Sequence, residues 1–251
     1  MKPILFSIFN INIYGYGTMI ALGIITAVTI LNYRGKKRGY DEDSLLNMEI
    51  FAVVAGVLGG KLLYLITDIK DIIQNPALLK DFGQGFVVYG SIMGGAIGVL
   101  LYARHKKWDA LKIFDLAIPS VAIAQGIGRI GCTLAGCCYG QETTLPFYIK
   151  FTNSPYAPNN IHLIPTEPVS AVYDVLMGLF LIWFAKENKK DGRVFGLYLC
   201  IYSVGRFIIE FFRGDQIRGF IGALSTSQFI SIFTFLLGIF LFNLDKFKKA
   251  D

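Results

Sequence analysis

The chain has 251 residues, 54% of them hydrophobic and only 17% charged, with a formal net charge of +6. A soluble domain usually carries about 25% charged residues, and its helices alternate apolar and charged faces, whereas Phe86 to Ala103 holds no charge at all. This excludes an ordinary soluble domain and points to an all-α integral membrane protein, since about 20 apolar residues in a helix cross the hydrocarbon layer.

Apolar runs predict seven transmembrane helices, at 11–31, 49–66, 86–103, 113–134, 169–185, 194–212 and 226–243. The first has only Lys2 before it, runs too long for a secretory signal and lacks a small-residue cleavage site, so it is expected to be a retained helix. The second and third carry Gly56 and Gly60, then Gly90, Gly94 and Gly98; such spacing lets membrane helices approach closely. Between the fourth and fifth lies a region at about 135–168 with Pro146, Pro155, Pro158, Pro165 and Pro168. It reads as an ordered loop or as short strands, with weak alternation from Phe147 to Phe151. There is no linker and no internal repeat, so residues 1–251 are read as one polytopic membrane domain.

The positive charge is distributed by side. Arg34, Lys36, Lys37, Arg38, Arg104, Lys106, Lys107, Lys112, Lys186, Lys189, Lys190, Arg193, Lys246, Lys248 and Lys249 follow the odd-numbered spans. Lys2, Lys70, Lys80, Lys150, Arg213 and Arg218 lie on the other side, fifteen against six. Basic loops stay in the cytoplasm, which predicts an outside N-terminus, a cytoplasmic C-terminus and a small extracytoplasmic loop region. The charges are topology signals, and no nucleic-acid partner is expected.

Three basic residues, Lys61, Arg129 and Arg206, fall inside spans. A charge at the bilayer centre costs roughly 2.5–3.5 kcal/mol on insertion scales, so such residues face the bundle interior and mark function. In the sixth span Tyr202, Arg206, Glu210 and Arg213 recur at intervals of four, four and three, which predicts one helical face and an Arg206–Glu210 pair. With the predicted topology, Lys61, Arg129, Arg206, Glu210, Tyr16 and Tyr89 all fall in outer halves of their spans. Convergence at one depth predicts a site for an anionic group, with arginine forks suited to phosphate and a phospholipid headgroup as the natural ligand.

These residues resemble a known family. Gly128-Arg129-Ile130-Gly131 with Gly136 and Gly140 resembles the signature of the prolipoprotein diacylglyceryl transferases. So does Tyr202-x-x-x-Arg206-Phe207-x-x-Glu210-Phe211-Phe212-Arg213, the most specific part. Tyr16-Gly17 is similar to the family's early Tyr-Gly, Gly59-Gly60-Lys61-Leu62-x-Tyr64 to its Gly-Gly-Arg-Leu-x-Tyr, and Tyr89-Gly90-x-x-x-Gly94 to its His-Gly-Gly. The resemblance covers nearly the whole chain. It implies transfer of a diacylglyceryl group from phosphatidylglycerol to the thiol of a lipobox cysteine in a prolipoprotein signal peptide, with glycerol phosphate released. It implies a multi-pass protein of the bacterial inner (cytoplasmic) membrane, surrounded by membrane lipids, working without metal or cofactor. Arg129 and Arg206 would stabilise the phosphate, Glu210 would orient Arg206, and Tyr89 would stand at the catalytic His position. Arg129, Tyr16, Tyr202, Lys61 and Arg213 would bind the lipid headgroup. The chain departs from the family at Tyr89 in place of His, Cys132 in place of Asn and Cys137 in place of a carboxylate. Tyrosine ionises near pH 10 and is a poor proton acceptor at neutral pH.

The cysteines are Cys132, Cys137, Cys138 and Cys200. Cys-x4-Cys-Cys is not a usual zinc spacing, and no histidine is near it. The first three read as small thiols filling polar positions, expected to be dispensable; a disulfide, a reactive thiol and a metal site are the other readings. Cys200 reads as packing, His105 as a solvated loop residue and His162 as a substitute base or a loop residue. Asp115 and Asp174 read as polar anchors near span ends. Two other functions compete with the transferase: a lipid-headgroup-binding or transfer protein with another acceptor, and a small-molecule transporter, which would also bury charges but normally near the midplane and in repeated halves.

Overall fold

The structure, a computed structural model, describes residues 4–8, 11–75, 85–188, 190–215 and 219–244. Of the basic residues that define the charge asymmetry, Lys2, Lys80, Lys189, Arg218, Lys246, Lys248 and Lys249 lie outside these. The chain begins with an antiparallel pair, β1 (Ile4–Ile8) and β2 (Ile11–Tyr14). This corrects the first predicted span, whose residues 11–14 are strand. Ile11, Asn12 and Ile13 alternate with the period of two that a strand requires, and isoleucine favours the pleated backbone. The Ser7 hydroxyl donates to Asn12 Oδ1 at 2.7 Å across the pair.

Helices then follow: α1 (Gly15–Lys37), α2 (Glu42–Thr67), the short α3 (Ile69–Gln74), α4 (Val88–His105), α5 (Ala110–Ala135), α6 (Thr166–Glu187), α7 (Arg193–Ile209) and α8 (Thr226–Phe242). Among the described residues, five helical stretches are long and apolar enough to cross a membrane: Gly15–Lys37, Glu42–Thr67, Ala110–Ala135, Thr166–Glu187 and Arg193–Phe212. The chain is therefore a mostly helical, multi-pass membrane protein. Helices α4 and α8 overlap the third and seventh predicted spans and, with 18 and 17 residues, are shorter than these five. Starts are encoded locally. Asp41 accepts from the Ser44 N–H at 2.9 Å and caps α2, and hydrogen bonds from Ser44 hold its carboxyl below the ordinary range. Ser225 and Gln228 form a reciprocal capping box on α8.

The described residues form two compact units, Asn32–Ile113 and a second made of 1–31 with 114–251. In the first, α2 and α4 pack through glycines. A β-carbon on Gly59 would collide with the Gly90 carbonyl oxygen, one on Gly94 with the Ala55 carbonyl oxygen, and one on Gly98 would come within 2.9 Å of Ala55 Cβ. The predicted small-residue spacing is therefore a backbone-to-backbone seam, where dispersion between closely approaching helices is the main attraction in lipid. Gly94→Ala is expected to destabilise the protein by about 1–3 kcal/mol, the usual range for overpacking. Gly95→Ala is the matched control, because its added carbon meets only Ala52 O at an ordinary 3.6 Å. Thermal melting in detergent tests this: equal melting of the two variants would contradict the seam.

In the second unit, the core is built by α5, α6 and α7 around Ile118, Ala122, Met177, Leu181, Val194 and Tyr198. Close approaches repeat the small-residue rule: α7 and α8 meet at Gly196 and Gly238, and α5 and α6 meet at Gly126 and Gly178. Asp115 on α5 accepts from the N–H groups of Gly192 and Phe195, both at 2.8 Å, and so anchors the start of α7. The segment between α5 and α6 has no helix; it is stitched by β3 (Ile149–Lys150) and β4 (His162–Leu163). A last short pair, β5 (Phe220–Ile221) with β6 (Leu224–Ser225), precedes α8.

Candidate active site

Helices α5, α6 and α7 form a half-open cavity of about 180 Å³, lined among others by Arg129, Tyr173, Asp174, Tyr202, Gly205 and Arg206. The two arginines therefore come from different helices and meet one space. Each is held by carboxylate. Arg129 Nη1 donates to Glu167 Oε2 at 3.3 Å, and its Nε lies 3.9 Å from Asp174 Oδ2. Arg206 Nη2 sits 3.0 Å from Glu210 Oε2 and donates to Ser227 Oγ at 2.9 Å. Glu167, Asp174 and Glu210 are all buried. Such partners offset the cost of burying guanidinium groups and hold them in one orientation before any ligand arrives.

The wall of the cavity is aromatic. Tyr202 stacks on Tyr198 with ring centroids 5.6 Å apart, and Tyr198 donates to Gln125 Oε1 at 2.9 Å. Tyr173 donates to the Ile201 carbonyl at 2.6 Å. Gly205 is required here, because a β-carbon would run into the Tyr173 ring. The cavity surface is largely apolar, with Arg129 and Arg206 at its lining beside the carboxylate of Asp174.

Arg213 differs from its predicted place. The last turn of the span tightens to a 3-10 turn at Glu210–Phe212, and the helix ends. Arg213 is then extended and pairs with Gly140 in a β-bridge, so it leaves the helical face shared by Tyr202, Arg206 and Glu210. Its guanidinium is buried, chelates the Asp215 carboxylate and lies 4.0 Å from Glu167 Oε1. Desolvation would pull its pKa down, but the hydrogen bonds to Asp215 and nearby acidic groups raise it above the ordinary arginine value. Gln141 adds to the clasp, donating to the carbonyls of Phe211 and Arg213 at 3.0 and 3.3 Å.

Tyr16, at the start of α1, lies within electrostatic reach of Arg129, Cys132, Cys137 and Cys138. Helices α1 and α5 touch there: a β-carbon on Gly131 would meet Tyr16 O at 3.3 Å, and one on Gly15 would meet Leu134 Cδ1 at 3.1 Å. The remaining two predicted residues belong to the other compact unit. Lys61 packs its ammonium over the rings of Tyr64 and Phe86, at 5.3 and 5.2 Å from their centroids. Tyr89 is in the first turn of α4 and is 37% exposed.

Sequence reading missed Glu167 as a partner of Arg129 and treated Asp174 only as an anchor. Glu167 gave a weak signal, since an acidic residue at the mouth of a span with Pro165 and Pro168 around it looks like a loop boundary, and Asp174 lies in the first turns of the predicted fifth span. Tyr173 and Ser227 carried no signal at all.

Comparison with known proteins adds an independent line. The family model described as prolipoprotein diacylglyceryl transferase matches residues 3–244. A phosphatidylglycerol–prolipoprotein diacylglyceryl transferase of Clostridium tetani (strain Massachusetts / E88) is 60% identical over 249 residues, covering 99% of this chain and 100% of that protein. A second protein of that name, number 2 of Clostridium perfringens (strain 13 / Type A), is 50% identical over 249 residues, with 99% and 97% covered. One from Dehalococcoides mccartyi (strain ATCC BAA-2266 / KCTC 15142 / 195) is 32% identical over 256 residues, with 100% and 97% covered.

Proposed function

The chain belongs to the prolipoprotein diacylglyceryl transferase family, and we propose from that premise how it works as a phosphatidylglycerol–prolipoprotein diacylglyceryl transferase. It moves the diacylglyceryl group of phosphatidylglycerol to the lipobox cysteine thiol of a prolipoprotein and releases glycerol phosphate. The sulfur forms a thioether, the bond from glyceryl carbon to phosphate oxygen breaks, and the oxygen keeps the electron pair. One observation carries the residue assignment: Arg129 and Arg206 reach a single headgroup-sized cavity from two helices. Charge that gathers on the leaving phosphate meets fixed guanidinium donors, which is how oxyanion stabilisation lowers a barrier.

In this reading Arg129 and Arg206 bind the phosphate, Glu210 orients Arg206, and Tyr202 and Tyr16 hydrogen-bond headgroup oxygens. Arg213 serves through Glu167, which it shares with Arg129. Lys61 and Tyr89 are assigned to headgroup binding and to the catalytic His position on motif resemblance alone. The fold reading extends to seven spans in one membrane domain over residues 1–251, with the N-terminus outside and the C-terminus in the cytoplasm of a bacterial inner membrane. The basic asymmetry of the loops supports it.

The direct test gives the purified protein phosphatidylglycerol and a lipobox peptide. Glycerol phosphate should appear in step with a peptide mass increase equal to one diacylglyceryl group. A serine-for-cysteine peptide should give neither product, and glycerol phosphate release without peptide modification would overturn the acceptor assignment. For topology, reporter fusions after residues 40, 108, 189 and 251 should all score cytoplasmic, and two outside scores would break the seven-span arrangement.

A further inference from the structure

The cysteines are the part of the chain that the phosphate site does not use, and the fold brings three of them together. Helix α5 ends at Ala135, and Gly136 adopts the left-handed conformation with φ +72°. Its N–H bonds to Cys132 O at 2.9 Å, as the Cys137 N–H does at 3.2 Å. Cys138 is also left-handed, with φ +59°, a costly state for a residue with a β-carbon. The turn folds Cys137 and Cys138 back on Cys132, and the three Sγ atoms all lie within 4.8 Å of one another. A tetrahedral zinc ion with metal–sulfur bonds of about 2.3 Å sets its sulfurs about 3.8 Å apart, so only small rotations separate this cluster from a three-thiolate site. The linear spacing argued against a metal; the left-handed turn supplies the closeness that the spacing hides.

Two further features fit an ion there. Three thiolates around a divalent cation carry one net negative charge, and Arg129 and Arg213 both lie within electrostatic reach of Cys138. Arg129 and Cys132 are also three residues apart on α5, hence on one face of the helix, so the sulfur cluster adjoins the phosphate-binding arginine. Three protein ligands leave a fourth position open, the pattern of reactive rather than purely structural zinc sites.

Resting on the transferase reading above, we propose that Cys132, Cys137 and Cys138 bind a soft divalent ion of the zinc class whose open position takes the acceptor cysteine of the prolipoprotein. Coordination deprotonates that thiol, and the proton passes to water. The bound thiolate attacks the glyceryl carbon, the carbon–oxygen bond breaks, and the phosphate departs with the electron pair towards Arg129. A poor base such as tyrosine at position 89 is then no obstacle, because the ion does the work of deprotonation.

The test uses the full-length protein purified in detergent under reducing, chelator-free conditions. Elemental analysis should find about one zinc per chain, lost in Cys132→Ser, Cys137→Ser and Cys138→Ser and kept in Cys200→Ser. Cobalt in place of zinc should show thiolate charge-transfer bands. Those bands should shift when a lipobox peptide is added and stay put with its serine version. Removing the ion should cut diacylglyceryl transfer at least about 10²-fold, and zinc should restore it. Several results would overturn the proposal: a disulfide among the three cysteines in the active protein, no metal in it and no cobalt uptake, or a cobalt spectrum blind to the peptide. A protein that holds cobalt and responds to the peptide thiol, yet never releases glycerol phosphate, would uphold the metal site and remove the transfer reaction instead.

Discussion

Arg129→Lys and Arg206→Lys should each lower turnover of phosphatidylglycerol about 10²-fold or more, roughly 2.7 kcal/mol of lost transition-state stabilisation, which is what deleting one such donor typically costs. Lysine keeps the charge but offers a single hydrated ammonium where arginine offers a planar fork. Both arginines line the same cavity and are already oriented, Arg129 by Glu167 and Asp174 and Arg206 by Glu210 and Ser227. The edge left for phosphate depends on that fixed orientation, which a flexible lysine does not inherit. Because the contact strengthens as phosphate charge develops, the loss should fall on kcat more than on KM. Glu210→Gln provides the contrast. The amide oxygen still accepts from Arg206, and Ser227 still holds the same Nη2 at 2.9 Å, so its kinetic loss should be smaller. Near-normal turnover in both lysine variants with intact melting would remove the arginines from the phosphate site.

Glu167→Ala should have its largest effect on stability. Glu167 is 4% exposed and sits between two guanidinium groups, 3.3 Å from Arg129 and 4.0 Å from Arg213. Removing one partner of a buried ion pair usually costs about 3–5 kcal/mol, because the other charge is left without compensation. Asp174 still lies 3.9 Å from Arg129, and Asp215 still chelates Arg213, so the loss should sit at the lower end of that range. The expected readout is a clear drop in melting temperature and yield, with Glu167→Gln intermediate since it keeps an acceptor for Arg129. Parent-like melting of Glu167→Ala would show that the carboxylate between the arginines carries no such load.

Much of the candidate site was legible in sequence because a membrane makes charge conspicuous. Arg129, Arg206 and Glu210 stood out as charges within apolar runs, and helical spacing alone paired the last two, as found at 3.0 Å. Glu167 was not legible, since an acid at a helix start beside prolines has an ordinary explanation. Arg213 was misplaced for a related reason. The i, i+3 spacing from Glu210 assumes a continuous α-helix, and the chain changes to a 3-10 turn at that residue.

The sequence by itself determined the class of protein, the approximate positions of the long helices, the α2–α4 glycine seam and the family, because each follows from local composition or from short motifs. Only the tertiary structure decided which groups meet across different elements. The pairing of Arg129 with Glu167 spans thirty-eight residues, and that of Gln141 with Arg213 spans seventy-two. The gathering of Cys132, Cys137 and Cys138 needs a left-handed turn at Gly136 and Cys138. Separation along the chain says nothing about such contacts, since they are set by how helices cross and where turns reverse.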